Sequence, residues 1–240
     1  MNTRGKLVGE FILIVVGVTV ALMLEAYMSE RNDGDLRDEY MSRIKSDMDS
    51  DKQAIEYRVE FFTAVQQFSE VTQDWMESDA AVDQSVILAA FYAAETWPFL
   101  PNLSTYQDLQ NTGNFRLIDD IDLRTSLFLY YNKADLSRSG FSPSHDYRRI
   151  IRGVIPREAQ SQIREHCPTA DYQDLVPTGF PPCKLQDIDF DRITVLFSPL
   201  RSDTSFRRIL NYRHSELGVM IRLLRQQLVF AEAVLAHLEN

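Results

Sequence analysis

The chain has 240 residues, 45% hydrophobic and 25% charged, a composition that suits one sizeable folded core and excludes an intrinsically disordered chain. Asp and Glu outnumber Lys and Arg by 35 to 25, for a formal net charge of -10. That acidity leaves no cationic excess to neutralise phosphates and argues against general nucleic-acid binding.

Residues 7–28 read LVGEFILIVVGVTVALMLEAYM, without a charge from Phe11 to Leu24. As a helix rising about 1.5 Å per residue, this segment reaches about 33 Å, enough to cross a hydrocarbon layer about 30 Å thick. Crossing requires Glu10 and Glu25 to sit near the two interfaces. Lys6, four residues before Glu10, shares its helical face, and pairing there lowers the cost of desolvating the carboxylate. Arg4, Lys6 and the amino terminus precede the span, whereas residues 30–39 hold Glu30, Asp33, Asp35, Asp38 and Glu39 against Arg31 and Arg37. This asymmetry predicts a cytoplasmic N-terminus. The expected organisation is a cytoplasmic tip and transmembrane anchor over 1–29 and an extracytoplasmic helical domain over 30–240. In a bacterium this is a single-pass inner-membrane protein with a periplasmic body. The rival readings are a cleaved signal peptide, for which Leu24, Glu25 and Ala26 make a poor cleavage site, and a buried helix of a soluble protein. Gly17 and Ala21 place small residues four apart on the span, a spacing that ordinary membrane composition also explains.

No Gly or Pro occurs between Asp35 and Trp97. Met41, Ile44, Met48, Ile55, Val59, Phe62 and Val65 recur at mostly helical intervals and predict a long amphipathic helix over 35–76, joined to the span by a short turn with Gly34 as its swivel. Ser78, Asp79 and Asp83 offer a break and a new N-cap before a helix near 84–95. Ser104 followed by Gln107 suggests a capping box opening a short helix at Thr105, ended by Thr112, Gly113 and Asn114. Asp119 or Asp120 is placed to cap the next helix, which carries Leu123, Leu127, Phe128 and Tyr131. Gly140 and Pro143 break the chain again. Further helices are expected from Asp146 to Arg152 and from Pro156 to Glu165. Residues 167–183, with Pro168, Pro177, Gly179, Pro181 and Pro182, read as an irregular loop. Thr194, Val195, Leu196 and Phe197 suggest a short strand.

A long final helix starts at Asp203 or Thr204 and runs to Leu238. Leu210, His214, Leu217, Ile221, Leu224, Leu228, Ala231, Leu235 and Leu238 form a near-heptad seam along it. Its expected partner is the first long helix. The apolar seams are expected to supply most of the association; residues 30–83 carry a net charge of -9 and residues 201–240 a net charge of +2, so opposite balances favour that pairing over self-pairing of the acidic helix. The fold class expected is therefore all-α: a transmembrane helix followed by an irregular helical bundle closed by its first and last soluble helices. A homo-oligomeric coiled coil is the alternative.

Cys167 and Cys183 suit an oxidising compartment and are expected to form a structural disulfide; two reduced buried thiols are the alternative. Consecutive Ser144, His145 and Asp146 do not make a triad, because neighbours on a regular element cannot take that geometry. His166 beside Cys167 would lose its fellow metal ligand to the disulfide. His214 is read as a polar contact in the seam, and His237 as a residue at a helix C-terminus. Asp108, Asp119, Asp120 and Asp122 form an acidic group that also serves capping. Asp187, Asp189 and Asp191 lack the glycine and distal glutamate of a calcium loop. Arg148, Arg149 and Arg152 are candidates for contact with headgroups, a partner carboxylate or the acidic first helix. No catalytic, cofactor-binding or metal-ligating residue is assigned.

Gly9 and Glu10 leading into the apolar span, the Glu30, Arg31 and Asn32 junction, the run Ser104, Thr105, Tyr106, Gln107, Asp108 and Leu109, and Gly113, Asn114 and Phe115 resemble an uncharacterised family of bacterial single-span membrane proteins. The resemblance continues through Leu117 and Ile118, residues 123–131 and the final helix, covering nearly the whole chain. Glu25 and Tyr27 depart from the Asn- and Trp-rich exit more usual there. It implies an anchored, mainly helical protein and supplies no activity. The function expected is a membrane-anchored structural or interaction module, not an enzyme, with the bilayer and a membrane protein or further copies of itself as partners. The alternative is an extracytoplasmic ligand-binding or sensor module signalling through a partner.

Overall fold

The computed structural model describes residues 3–140, 144–167, 170–171, 176–177, 183–186 and 188–239; the side chains of 3–9, 136–140, 170–171 and 176–177 are outside the description. The expected Lys6–Glu10 pairing, Pro143, Asp187 and most of the proline-rich loop, including Pro168 and Gly179, thus lie outside the described residues. Among those described, the fold is all-α, with eight α-helices and a two-residue antiparallel pairing of Ala170–Asp171 with Val176–Pro177.

The predicted turn between span and body does not occur. Helix α1 runs unbroken from Thr3 to Glu77, 75 residues. Gly34 stays helical, and a side chain there would meet nothing within 4 Å. A lone glycine costs a helix interior about 1 kcal/mol, too little to end a helix whose next turns bury an apolar face. The adjacent Asp33 is also held by the body, through Arg116.

Asp83 caps α2 (Gln84–Ala93) as expected, accepting from the Val86 amide at 3.0 Å. Helix α3 (Ser104–Thr112) starts one residue early, and the expected Ser104–Gln107 box is absent. The Asn102 side-chain oxygen instead accepts from both the amide and the hydroxyl of Ser104, making Ser104 the first helical residue. Gly113 ends α3 in the left-handed region (φ 73°), where a residue without Cβ is least strained, and a 3-10 turn follows over Asn114–Leu117. Asp120 caps α4 (Ile121–Gly140), accepting from the amides of Asp122 and Leu123. Leu123, Leu127 and Tyr131 face inward with Tyr130, while Phe128 points to solvent.

Helices α5 (Asp146–Val154) and α6 (Arg157–His166) follow, with Pro156 just before the latter. The expected strand at Thr194 to Phe197 is the end of helix α7 (Phe190–Phe197). Asp189 caps it, and Ile193 and Phe197, one turn apart, are fully buried. A strand without a partner leaves its backbone groups unpaired, whereas a helix pairs them internally.

Helix α8 (Thr204–Leu238) is capped by Asp203, which accepts from the amides of Ser205 and Phe206. It lies antiparallel along α1, the terminal closure the heptad pattern predicts. Leu210, Leu217, Ile221, Leu224, Ala231 and Leu235 are buried in the seam. The ion pairs across it do not follow the expected charge balance. Lys45–Glu239 and Lys52–Glu232 put the cation on α1, and among the described residues only Arg207–Glu77 has the anticipated sense. Apolar burial, worth about 25 cal/mol per Å², therefore dominates the pairing. Two apolar centres share the seam. One gathers Trp75, Ile87, Phe91, Tyr147, Phe197 and Phe206; the other, nearer the apolar end of α1, gathers Ile44, Met48, Phe62, Leu109, Leu127 and Ile221. The apolar stretch from Phe11 to Met28 packs against nothing among the described residues, and Leu13 is 75% exposed.

Candidate functional site

Just beyond its apolar stretch, α1 enters a polar collar. Gly113 reverses the chain after α3, which turns Asn114 and Arg116 toward α1. Arg116 donates from both terminal nitrogens to the Asp33 carboxylate, at 2.6 and 3.0 Å, and holds that carboxyl below its usual range. Arg37 reaches Asp119 at 3.3 Å. Tyr40 donates to Asp108 and accepts from the Asn114 amide group, while Arg43 donates to the same Asp108 carboxylate at 3.1 Å. Tyr106 stacks on Tyr131, ring centres 4.1 Å apart, with Phe115 set edge-on against it. The segments 104–109 and 113–116 thus meet on one short stretch of α1.

One turn further in, Asp47 and Asp51 sit on the apolar face of α1, both buried. The Asn102 amide donates to both Asp51 oxygens, and the Tyr130 hydroxyl donates to one of them at 2.6 Å. The Asn102 side chain donates to Asp47 at 2.7 Å, Tyr131 donates to the Asn102 carbonyl, and Gln227 of α8 donates to the Tyr130 carbonyl. Burial pushes the Asp51 carboxyl upward against the pull of these donors, and raises the Tyr130 and Tyr131 hydroxyls far above the ordinary tyrosine value. The other Asp47 oxygen has no hydrogen-bond partner. This node ties α1, the segment before α3, α4 and α8 together.

A second buried node lies at the far end. Arg213 donates to the carbonyls of Ala93, the last residue of α2, and of Glu95 just beyond it, at 3.0 and 2.7 Å. Glu216, one turn along α8, accepts from the Ser144 amide and lies 3.8 Å from Arg213. Arg152 pairs with Glu95 at 2.5 Å and lies over the Phe91 ring; burial lowers its pKa to about 10. Burial likewise pushes Tyr92 up to about 12.

The arginine cluster of the sequence is thus tied up within the body. Arg148 and Arg152 face Glu95, Arg149 pairs with Asp146, and none of them reaches α1. Ser144, His145 and Asp146 do not converge: the Ser144 hydroxyl accepts from the Asp146 amide, and His145 is exposed. His166 bonds to the Gln162 carbonyl at 3.2 Å. His214 meets Ser69 of α1 at 3.0 Å, a seam contact as expected, and His237 lies 3.6 Å from Asp120. Asp108, Asp119 and Asp120 are engaged in the collar or in capping, and Asp122 and Asp191 lie in first helical turns. Cys167 and Cys183 form a disulfide, Cα atoms 5.4 Å apart. Among the described residues no group of three or more His, Cys, Asp or Glu is arranged to hold a metal ion.

Asp47, Asp51, Arg213 and Glu216 were not singled out by the sequence. Their signal was a polar residue on an otherwise apolar helical stripe, as where Asp47 and Asp51 interrupt Ile44, Met48 and Ile55.

The class these features define is an all-α protein built on one long helix with an apolar, membrane-length end. No family model, curated protein or solved structure matches the chain.

Proposed function

We propose that the protein is a structural or interaction module held at a bacterial inner membrane by residues 7–28, with residues 30–240 in the periplasm, acting as an accessory subunit of a larger membrane assembly or of a homo-oligomer. One observation carries this reading: the apolar end of α1 packs on nothing among the described residues, yet continues as the same helix into the folded core. The disulfide accords with an oxidising compartment. The buried charged nodes serve packing, with each described carboxylate there bound to a helix or loop it fixes. Membership in the uncharacterised single-span family is part of the same proposal, supported by the meeting of segments 104–109 and 113–116 on the collar.

The test is protease added to intact spheroplasts, with purification in mild detergent and mass spectrometry alongside. Digestion of the body, with protection of an N-terminal tag, is the expected result, together with a stoichiometric partner or oligomer. An untouched body with a C-terminal tag labelled from the cytoplasm overturns the placement.

A second reading, a sensor, is favoured by the same unbroken helix, because a displacement of the body carries directly into residues 10–28 without a hinge. A ligand that alters proteolysis of residues 140–190 supports it.

A further inference from the structure

The antiparallel pair α1–α8 has a free side. In Lys45–Glu239, Lys52–Glu232, Gln73–Asn211 and Glu77–Arg207 the two residue numbers add to 284, so the helices keep one register along their whole contact. Helices α2, α4 and α5 cover one side of the pair. On the other side each helix shows a second, exposed seam: 208, 212, 215, 219, 222, 226 and 229 on α8, in steps of three and four, and 49, 53, 56, 60, 67, 70 and 74 on α1, with the same steps except for seven residues between 60 and 67, where Thr63 and Ala64 are half-buried. Each seam lies about a quarter turn from the shared contact line, in the same rotational sense along its own helix. In an antiparallel pair that brings both to one side.

The charges on these two seams are separated. Glu56, Glu60, Glu70 and Asp74 are exposed on α1, and none makes an ion pair among the described residues. Between 53 and 77 the single cation of α1 is Arg58, which donates to the backbone instead. On α8 the exposed Arg208, Arg222 and Arg225 are likewise without a partner among the described residues, and the one acid between 204 and 231 is the buried Glu216. Exposed Tyr212, Val219 and Val229 lie along α8, with Tyr57 and Val71 along α1.

The register fixes what meets what. Arg222 and Arg225 stand level with residues 62 and 59, within a turn of Glu60 and Glu56; Arg208 stands level with 76, beside Asp74; Tyr212 stands level with 72, beside Val71. We infer that this face docks a second copy of the same chain, related by a two-fold axis parallel to the helices. Such an axis sets α1 of each copy opposite α8 of its partner and leaves every residue at its own height. It also sends both apolar helix ends in the same direction, as two anchors in one bilayer require. The inference rests on the anchored reading proposed above. The interface is self-complementary and closed, as two-fold association demands. Apolar contacts at Tyr212, Val219 and Val229 supply attraction, and the separated charges select partner and register.

The test uses two differently tagged full-length copies expressed together, one with Glu60→Cys and one with Arg222→Cys, and mild oxidation of the membranes. A disulfide-linked species carrying both tags is expected. Pairing Glu60→Cys with Arg208→Cys, about 24 Å out of register, is expected to give none. A second experiment reads mass in mild detergent. The double charge reversal Glu56→Lys with Glu60→Lys, expressed alone, loses the doubled mass, as does Arg222→Glu with Arg225→Glu alone. Coexpression of the two restores it, because every facing pair is again of opposite charge. A monomeric parent, equal cross-linking in and out of register, or a dimer indifferent to both charge reversals overturns the interface. Fractionation of the same cells separates this from the anchor. A membrane-bound chain without the cross-link sinks the dimer alone, a soluble chain without it sinks both, and a soluble chain with it keeps the interface and removes the anchor.

Discussion

Asp51 is a carboxylate placed where burial favours its neutral form, so its folded-state pKa lies above its unfolded value. Such a group takes up a proton more readily in the folded chain. Its contribution to stability is therefore poorest at neutral pH and improves as pH falls through the raised folded value, until the unfolded group also protonates. Asp33 has the opposite sign: its contribution is present above the ordinary carboxylate value and fades as pH falls through its lowered one. Urea unfolding of the parent and of Asp51→Asn across the acidic range should show the parent gaining on the variant as pH drops. A difference that stays flat, or runs the other way, removes the burial argument. Arg213 and Glu216 make a second prediction. Arg213→Ala is expected to cost about 3–5 kcal/mol, since it strands a buried acid. Adding Glu216→Gln should cost less than the sum of the single changes, as measured in a double-mutant cycle. What could be read in advance at this scale was local. Asp83, Asp120, Asp203 and Gly113 act on amides or turns within a few residues of themselves. Asp51 and Arg213 find partners 51 and 120 residues away, a distance that spacing along the chain does not encode.

At the scale of elements, apolar periodicity was enough for α2, α4, α5 and above all α8, whose seam and limits follow from Asp203 and the leucine spacing. It misjudged Thr194 to Phe197, because a β-branched and aromatic run reads alike in a strand and in a helix buried on one side. Val195, 72% exposed, and the fully buried Ile193 and Phe197 show which face counts, and only the packed structure supplies that. Gly34 was misjudged for the converse reason: its local preference for a turn is smaller than the packing of the helical turns that follow it. Gly34→Ala should therefore stabilise the chain by about 1 kcal/mol, seen as a rise in Tm in mild detergent. Were residue 34 a working swivel outside helical geometry, the same change would destabilise.

For the whole molecule, the Cys167–Cys183 bridge closes a loop spanning 16 residues beside the α2–α5–α7 centre. Its reduction should lower the unfolding free energy by about 3 kcal/mol, read as a shift of the urea midpoint with and without a thiol reductant. A midpoint unmoved by reduction would mean that packing alone holds this region. The pairing of α1 with α8 also has a cost in time. The apolar seam of α1 is complete once residue 77 has been made, yet the helix that pairs along its length, α8, begins only at residue 204. At ordinary rates of synthesis that gap lasts on the order of ten seconds. Throughout it the newly made helix presents a sticky flank to its surroundings, so a chaperone that shields it until the last segment emerges would govern how much of the chain survives its own production.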